Sequence, residues 1–121
     1  MMAWIVSNHD AFDLEFDGLA ESVQNELLAM TGLLEIYGPG LGRPHADTLA
    51  GSRHANMKEL RFLANGGVWR VAFAFDPARK AILLVAGDKA GVSQKRFYKS
   101  LIAKADKRYG DHLAALSAAK E

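Results

Sequence analysis

Asn65-Gly66 lies between two runs of β-prone residues, and no other dipeptide in the chain narrows its folding choices so far. A two-residue hairpin loop of the favoured hand needs positive φ at both central positions, which asparagine and glycine tolerate best. The run before it, residues 56–63, and the run after it, residues 68–75, are therefore expected to pair as antiparallel neighbours, with Ala64-Asn65-Gly66-Gly67 as the tight turn. Asp76-Pro77-Ala78-Arg79 supplies a second turn. Residues 81–87 come next as a nearly all-apolar strand, the composition expected near the middle of a small sheet.

The flanks read as helices and one short strand. Trp4-Ile5-Val6-Ser7 is β-prone, and Ser7, Asn8 or Asp10 can cap a helix directly after it. Phe12, Phe16 and Leu19 have helical spacing, with a break or bend expected near Gly18. Val23, Leu27, Met30, Leu33, Leu34 and Tyr37 recur at intervals of three and four, and Gly38-Pro39-Gly40 ends the pattern. This N-terminal part is read as a helical hairpin or a bent helix. Residues 38–54 look like a loop. From Ser93, a plausible N-cap, the positions Phe97, Leu101, Ala105 and Tyr109 fit a last helix rich in Lys and Arg. The order strand, helices, meander, helix implies an α+β fold. Its small sheet, an N-terminal strand plus a three-stranded antiparallel meander, packs against N-terminal helices and a C-terminal helix. Those helices are expected on one face, leaving the other free to work.

Composition closes off several chemistries. The 121 residues suit a single domain, 1–121, and contain no cysteine, which removes disulfides, thiolate catalysis and Cys-based zinc sites. The start, Met1-Met2-Ala3-Trp4-Ile5-Val6, lacks the basic lead-in and long apolar stretch of a signal peptide, and no segment has the length to span a bilayer. A cytoplasmic location and no membrane partner are the expectations. The net charge of +1 conceals an asymmetry: residues 1–51 hold eight acidic side chains against Arg43 alone, whereas residues 52–121 hold fourteen Lys/Arg against six Asp/Glu. One face is therefore suited to a polyanion, unless acidic helices simply fold back onto a basic sheet.

Strand alternation sorts the candidate site residues. Glu59 and Arg61 project together, opposite Leu60 and Phe62; Arg70 projects with Ala72 and Ala74, opposite Trp69, Val71, Phe73 and Phe75. If the large apolar residues mark the core side, Arg61 and Arg70 share the outer face, beside alanines that leave room for a ligand. Two guanidiniums on adjacent strands suit a phosphate. The alternative is an exposed cross-strand ladder in which Glu59 pairs with an arginine. Lys89, after the last strand, with Arg96, Tyr98 and Lys99 at the start of the last helix, can meet RNA by charge and base stacking. Phe97 reads as an anchor to the sheet. Of His9, His45, His54 and His112, none has metal-ligand spacing; His54 alone adjoins a basic strand-entering segment, Arg53 included, where it can act as an acid or base or be a solvated loop residue. There is no Walker loop, GxGxxG or Gly-x-Ser-x-Gly motif.

Leu49-Ala50-Gly51-Ser52-Arg53, Met57-Lys58-Glu59-Leu60-Arg61-Phe62, Val68-Trp69-Arg70-Val71-Ala72-Phe73, Gly87-Asp88-Lys89 and Arg96-Phe97-Tyr98 stand in an order and spacing that resembles the RelE/ParE superfamily, in its HigB-like, phage-derived branch. The resemblance covers nearly the whole chain. It implies the toxin of a type II toxin–antitoxin system, a metal-independent endoribonuclease that needs no cofactor. Such an enzyme cuts mRNA on the ribosome through attack of a 2′-hydroxyl on the neighbouring phosphate. It also implies a helix-turn-helix, HigA-like antitoxin and a toxin–antitoxin hetero-oligomer. Carried over by position, Arg70, Lys89, Tyr98, Arg61 and His54 are the implied catalytic residues, and Lys58, Arg53, Arg96 and Lys99 the implied RNA contacts. This chain departs from strongly basic members in its modest net charge, in Lys89 where arginine is frequent, and in Glu59 among the basic residues. A RelE-fold module that binds antitoxin but cuts nothing is the rival reading, and a self-assembling phage-particle component a third.

Overall fold

The hairpin forms where Asn65-Gly66 calls for it, with φ of 51° and 72° at the two residues. The computed structural model describes residues 3–120, so Met1 and Met2 of the apolar start, and Glu121, lie outside the described residues. Along the chain run β1 (Ile5–Asn8), α1 (Asp10–Asp17), α2 (Glu21–Tyr37), a 3-10 turn (Gly38–Gly40), β2 (Ala46–Thr48), β3 (Met57–Ala64), β4 (Gly67–Phe75), β5 (Lys80–Asp88) and α3 (Gln94–Ala119). The strands form one sheet in the order β1-β5-β4-β3-β2. β1 pairs in parallel with β5, and the other pairings are antiparallel.

The helix ends obey local chemistry. Gly18 closes α1, where the break was expected, and Ser93 caps α3 by accepting a hydrogen bond from the Arg96 N–H. The cap of α1 is a residue not among the three candidates: His9 Nδ1 accepts from Ala11 N at 3.1 Å. Residues 38–54 are not all loop, because Ala46–Thr48 adds a short edge strand to β3. Among the described residues, no helix is long and apolar enough to cross a membrane.

Helices cover both faces of the sheet, not one. On the first face, Phe12, Val23, Leu27 and Leu34 of α1 and α2 pack on Leu60, Phe62, Val71, Phe73 and Leu83. On the second, Phe97, Leu101, Ala105 and Tyr109 of α3 pack on Met57, Ala72, Ala74, Ile82 and Leu84. Ala72 and Ala74 are fully buried there. Their small side chains do not floor a ligand site; they let α3 approach the strands closely enough to bury its own apolar stripe. Toward the β3–β4 turn this second face is left open by α3, with Glu59, Arg61 and Tyr98 lining a cavity there.

Candidate functional site

At that open end, β3 and β4 place Arg61 directly opposite Arg70. Two like charges at facing positions of an antiparallel pair repel, so each needs an acidic or dipolar neighbour. Arg70 is 6% exposed and is held by the fold: its Nε donates to Tyr98 Oη at 3.2 Å and its Nη1 to the Trp69 carbonyl at 2.9 Å. Tyr98 in turn donates to Glu59 Oε1 at 2.8 Å, and that oxygen lies 3.8 Å from Arg70 Nε. The diagonal pairing of Glu59 with an arginine thus exists, but as a buried triad with Tyr98 rather than an exposed ladder. Arg61, partly exposed, is 3.8 Å from Asp47 on β2. Arg43 holds Asp47 more tightly, with Nη2 at 2.8 Å and Nε at 2.9 Å.

The electrostatics result from these partners. Burial pushes the Glu59 carboxyl above the ordinary carboxylate range, although the Tyr98 hydroxyl and the charge of Arg70 pull it back. Burial, and then the hydrogen bond to Glu59, push the Tyr98 phenol up, so it stays a proton donor at neutral pH. The hydrogen bond from Arg43 holds Asp47 low.

Two cavities meet at Arg61. One of about 570 Å³ is lined by Arg43, Asp47, Glu59, Arg61, Lys95 and Tyr98 among others. The other, about 550 Å³, runs over the turn end of the hairpin past His45, Leu63, Val68 and Arg70. Together they make an open trough whose cations converge on the Arg61–Arg70 pair. Among the described residues, no group of three or more His, Asp or Glu side chains could hold a metal ion.

The structure brings some of the expected residues together and separates others. Arg61, Arg70 and Tyr98 share the trough. Lys89 stands just past β5, two residues after Gly87, the partner of Arg70, and its N–H donates to the Val68 carbonyl at the trough's rim. His54 lies elsewhere, edge-on to Tyr109 halfway along α3, with its Nε2 buried and unpartnered. Arg53 lies beside it, its N–H bonded to Asp106. Lys58 projects to the opposite face of the sheet and donates to the Pro39 carbonyl at 3.2 Å. Arg96 stands about 200° around α3 from Tyr98 and lines a different groove. Lys99 is exposed at the start of α3. Sequence reasoning did not assign a site role to Glu59, Arg43, Lys95 or His45. Glu59 was legible, as a lone acid between basic positions on one strand face; Arg43 and His45 depend on β2, which three residues hardly announce.

Comparison with known proteins agrees with this architecture. Residues 14–110 match the family model "Phage derived protein Gp49-like (DUF891)". The chain is 46% identical over 99 residues to "Putative toxin HigB2" of Mycobacterium tuberculosis, covering 81% of this chain and 49% of that protein. It is 48% identical over 95 residues to "Putative toxin HigB3" of the same organism, covering 76% of this chain and 81% of that protein. The alignment thus spans about half the length of HigB2. A mutant of E. coli toxin RelE in the free state superposes with a TM-score of 0.59 at 12% identity, over 85% of this chain and 97% of that one, a likeness of fold.

Proposed function

The chain belongs to the Gp49-like family and to the HigB-like branch of the RelE/ParE toxins, and from that premise we propose that it is a ribosome-dependent mRNA endonuclease. The observation that carries the reading is the facing pair Arg61 and Arg70. Glu59 and Asp47 offset part of the repulsion between the two facing guanidiniums, and an anion bound between them would relieve more of it. A scissile phosphate is such an anion, and each guanidinium offers it a planar fork of donors.

In this reading the 2′-hydroxyl of the upstream nucleotide attacks the adjacent phosphorus. The P–O bond to the downstream 5′-oxygen breaks, that oxygen takes a proton from water to become a 5′-hydroxyl, and a 2′,3′-cyclic phosphate remains. Arg61 and Arg70 neutralise the extra negative charge on the five-coordinate phosphorus. Glu59, whose affinity for protons burial has raised, receives the proton of the 2′-hydroxyl, with the Tyr98 hydroxyl as relay. Arg43, Lys95 and Lys89 hold the flanking phosphates. Arg70 is pre-aimed by Tyr98 and Trp69, so little reorganisation accompanies the reaction. An antitoxin is the partner that membership of a toxin family implies, and the HigA-like helix-turn-helix type is the proposed form.

The test is cleavage of mRNA on programmed ribosomes. Arg70→Ala should lower the rate by about 10²–10³, the cost of losing one preorganised donor, and relieve growth arrest on induction. Undiminished cutting by a folded Arg70→Ala chain would remove this site from consideration. The rival, a module that binds antitoxin without cutting, draws on one observation: Arg70 is buried and already partnered by Tyr98, Trp69 and Glu59. It predicts antitoxin binding with no cleavage by the parent chain at any ribosome concentration.

A further inference from the structure

β2 pairs with β3 only from Lys58 to Leu60, and the last tie between them is the Arg61 N–H donating to the His45 carbonyl at 2.8 Å. Beyond Arg61 the outer edge of β3 has no strand beside it among the described residues. Main-chain direction alternates along a strand, so the Leu63 N–H and carbonyl face the same outward side as those of Arg61. The cavity of about 550 Å³ that meets the trough at Arg61 wraps this free edge.

The wall of that cavity changes character from one end to the other. On the trough side stand Arg61 and Arg70, and next to them on the same face Leu63 and Val68, which oppose each other across the hairpin. Leu63 is 73% exposed, so this pair presents an uncovered apolar ledge beside the two guanidiniums. Around the edge, Phe62, Met30 and Pro44 continue the apolar wall. Glu26 completes it, one turn before Met30 on α2 and so on the same side of that helix. Among the described residues its carboxylate has no ion-pair partner. A lone negative charge weakens the hold of such a cavity on a polyanion, so it is useful there only if the ligand brings donors to it.

We propose that this cavity is a subsite for a guanine base of a nucleotide flanking the scissile phosphate, and that Glu26 is the residue that selects it. The proposal rests on the cleavage reading for the position of the phosphate, and adds the base. Three features in succession match a guanosine nucleotide: cations for its phosphate, an apolar ledge for the flat face of the base, and a carboxylate for its N–H edge. Guanine alone among the four bases sets two N–H groups side by side on its pairing edge, N1–H and the 2-amino group. The two oxygens of one carboxylate accept both. The neighbouring O6 is an acceptor, which suits the outward Leu63 N–H. Adenine and cytosine offer one amino group beside a bare ring nitrogen whose lone pair repels the carboxylate, and uracil offers one N–H between two carbonyls.

The experiment titrates the full chain with the 3′,5′-bisphosphates of guanosine, inosine, adenosine, cytidine and uridine, followed by the NMR shifts of backbone amides. A bisphosphate carries phosphate on both sides of its nucleoside, so the result does not depend on which side of the cut the base lies. Guanosine bisphosphate should bind with a Kd of about 10⁻⁴ M, at least tenfold (about 1.4 kcal/mol) tighter than the adenosine, cytidine and uridine forms. Inosine, which lacks the 2-amino group, should fall between. In Glu26→Gln and in Glu26→Ala the ratio of guanosine to uridine affinity should fall to about one. A folding defect lowers both affinities together, so the ratio reads the base contact alone. The inference is overturned if the nucleotides bind within about threefold of one another, if inosine binds as tightly as guanosine, or if either variant keeps the preference. Cleavage on programmed ribosomes is scored separately. Selective binding by a chain that cuts nothing supports the subsite and counts against the cleavage reading, whereas cutting without guanine-selective binding overturns the subsite and leaves that reading standing.

Discussion

Replacing Tyr98 by Phe removes one oxygen and nothing else, so it isolates the centre of the Glu59–Tyr98–Arg70 triad. The hydroxyl donates to Glu59 at 2.8 Å and accepts from Arg70 at 3.2 Å. A hydrogen bond to a buried ionised group is worth about 1.5–3 kcal/mol, and to a neutral one about 1 kcal/mol. Arg70 remains 3.8 Å from Glu59 and offsets part of the loss. The expected penalty is therefore about 2 kcal/mol at pH 7. It should also depend on pH. The folded-state proton affinity of Glu59 is raised by burial, and Tyr98 is the foremost influence lowering it. Without the hydroxyl it rises further. Between the ordinary carboxylate value and the raised folded value, the folded state binds more protons than the unfolded chain, so stability falls as pH rises through that window and levels off above it. Tyr98→Phe widens the window upward. The penalty should grow from about 1 kcal/mol near pH 4, where Glu59 is protonated in both states, to about 2 kcal/mol at neutral pH. Urea unfolding followed by tryptophan fluorescence from pH 4 to 8 measures it. A penalty that is flat across that range, or larger in acid, would refute the placement of a buried, proton-hungry Glu59 at the site.

Other perturbations separate the remaining claims. Arg70→Lys keeps the charge but loses the planar fork, so ribosomal cleavage should fall between the parent rate and that of Arg70→Ala. Ala74→Leu should cost about 1–3 kcal/mol in chemical denaturation, because α3 covers that position; an unchanged midpoint would mean the face is open. Arg108→Ala should cost about 1–2 kcal/mol, since it strands the Leu84 carbonyl as well as Glu15. Glu15→Gln should cost less than about 1 kcal/mol, its side chain being 44% exposed. The hydrogen bond from Arg108 lowers the Glu15 carboxyl. Its contribution is thus present above the ordinary carboxylate value and lost as pH falls through the lowered folded one, which the same titration detects in parent against Glu15→Gln.

The meander was legible because its signals are local: Asn65-Gly66 fixes one turn and with it the register of the pair, and the apolar run over residues 81–87 marks a strand inside the sheet, next to the central β4. The helices were legible from spacing, including the stop at Gly38 and the Ser93 cap. Which face was free was not legible. Alternation identifies a small-residue face at Ala72 and Ala74, but a ligand floor and a close helix contact look alike in one strand. The missing information lay in α3, whose stripe Phe97, Leu101, Ala105 and Tyr109 needs a surface of its own. Strand alternation puts Arg61 and Arg70 on one face, Tyr98 joins them in the sequence through the family resemblance, and the structure brings the three side by side. Where His54 and Arg96 lie was not legible, because the path of the segment before β3 and the rotation of α3 are set by tertiary packing. Glu59 was weighed only as a local charge; its partnership with Tyr98 spans 39 residues of sequence.

The pairing of β1 with β5 has a bearing on how the chain is made. Ile5 meets Lys80, and Tyr98 must arrive before Arg70 is aimed. Chains emerge from their amino end, and contacts far apart in sequence close last. While it is being synthesised, the amino-terminal third therefore has its helices but no sheet to lay them on, and the β3–β4 hairpin carries its arginines without the phenol that orients them. For a protein whose proposed target is the machine that translates it, the order of synthesis acts as a delay: the working trough is assembled only when the start of the last helix has been added.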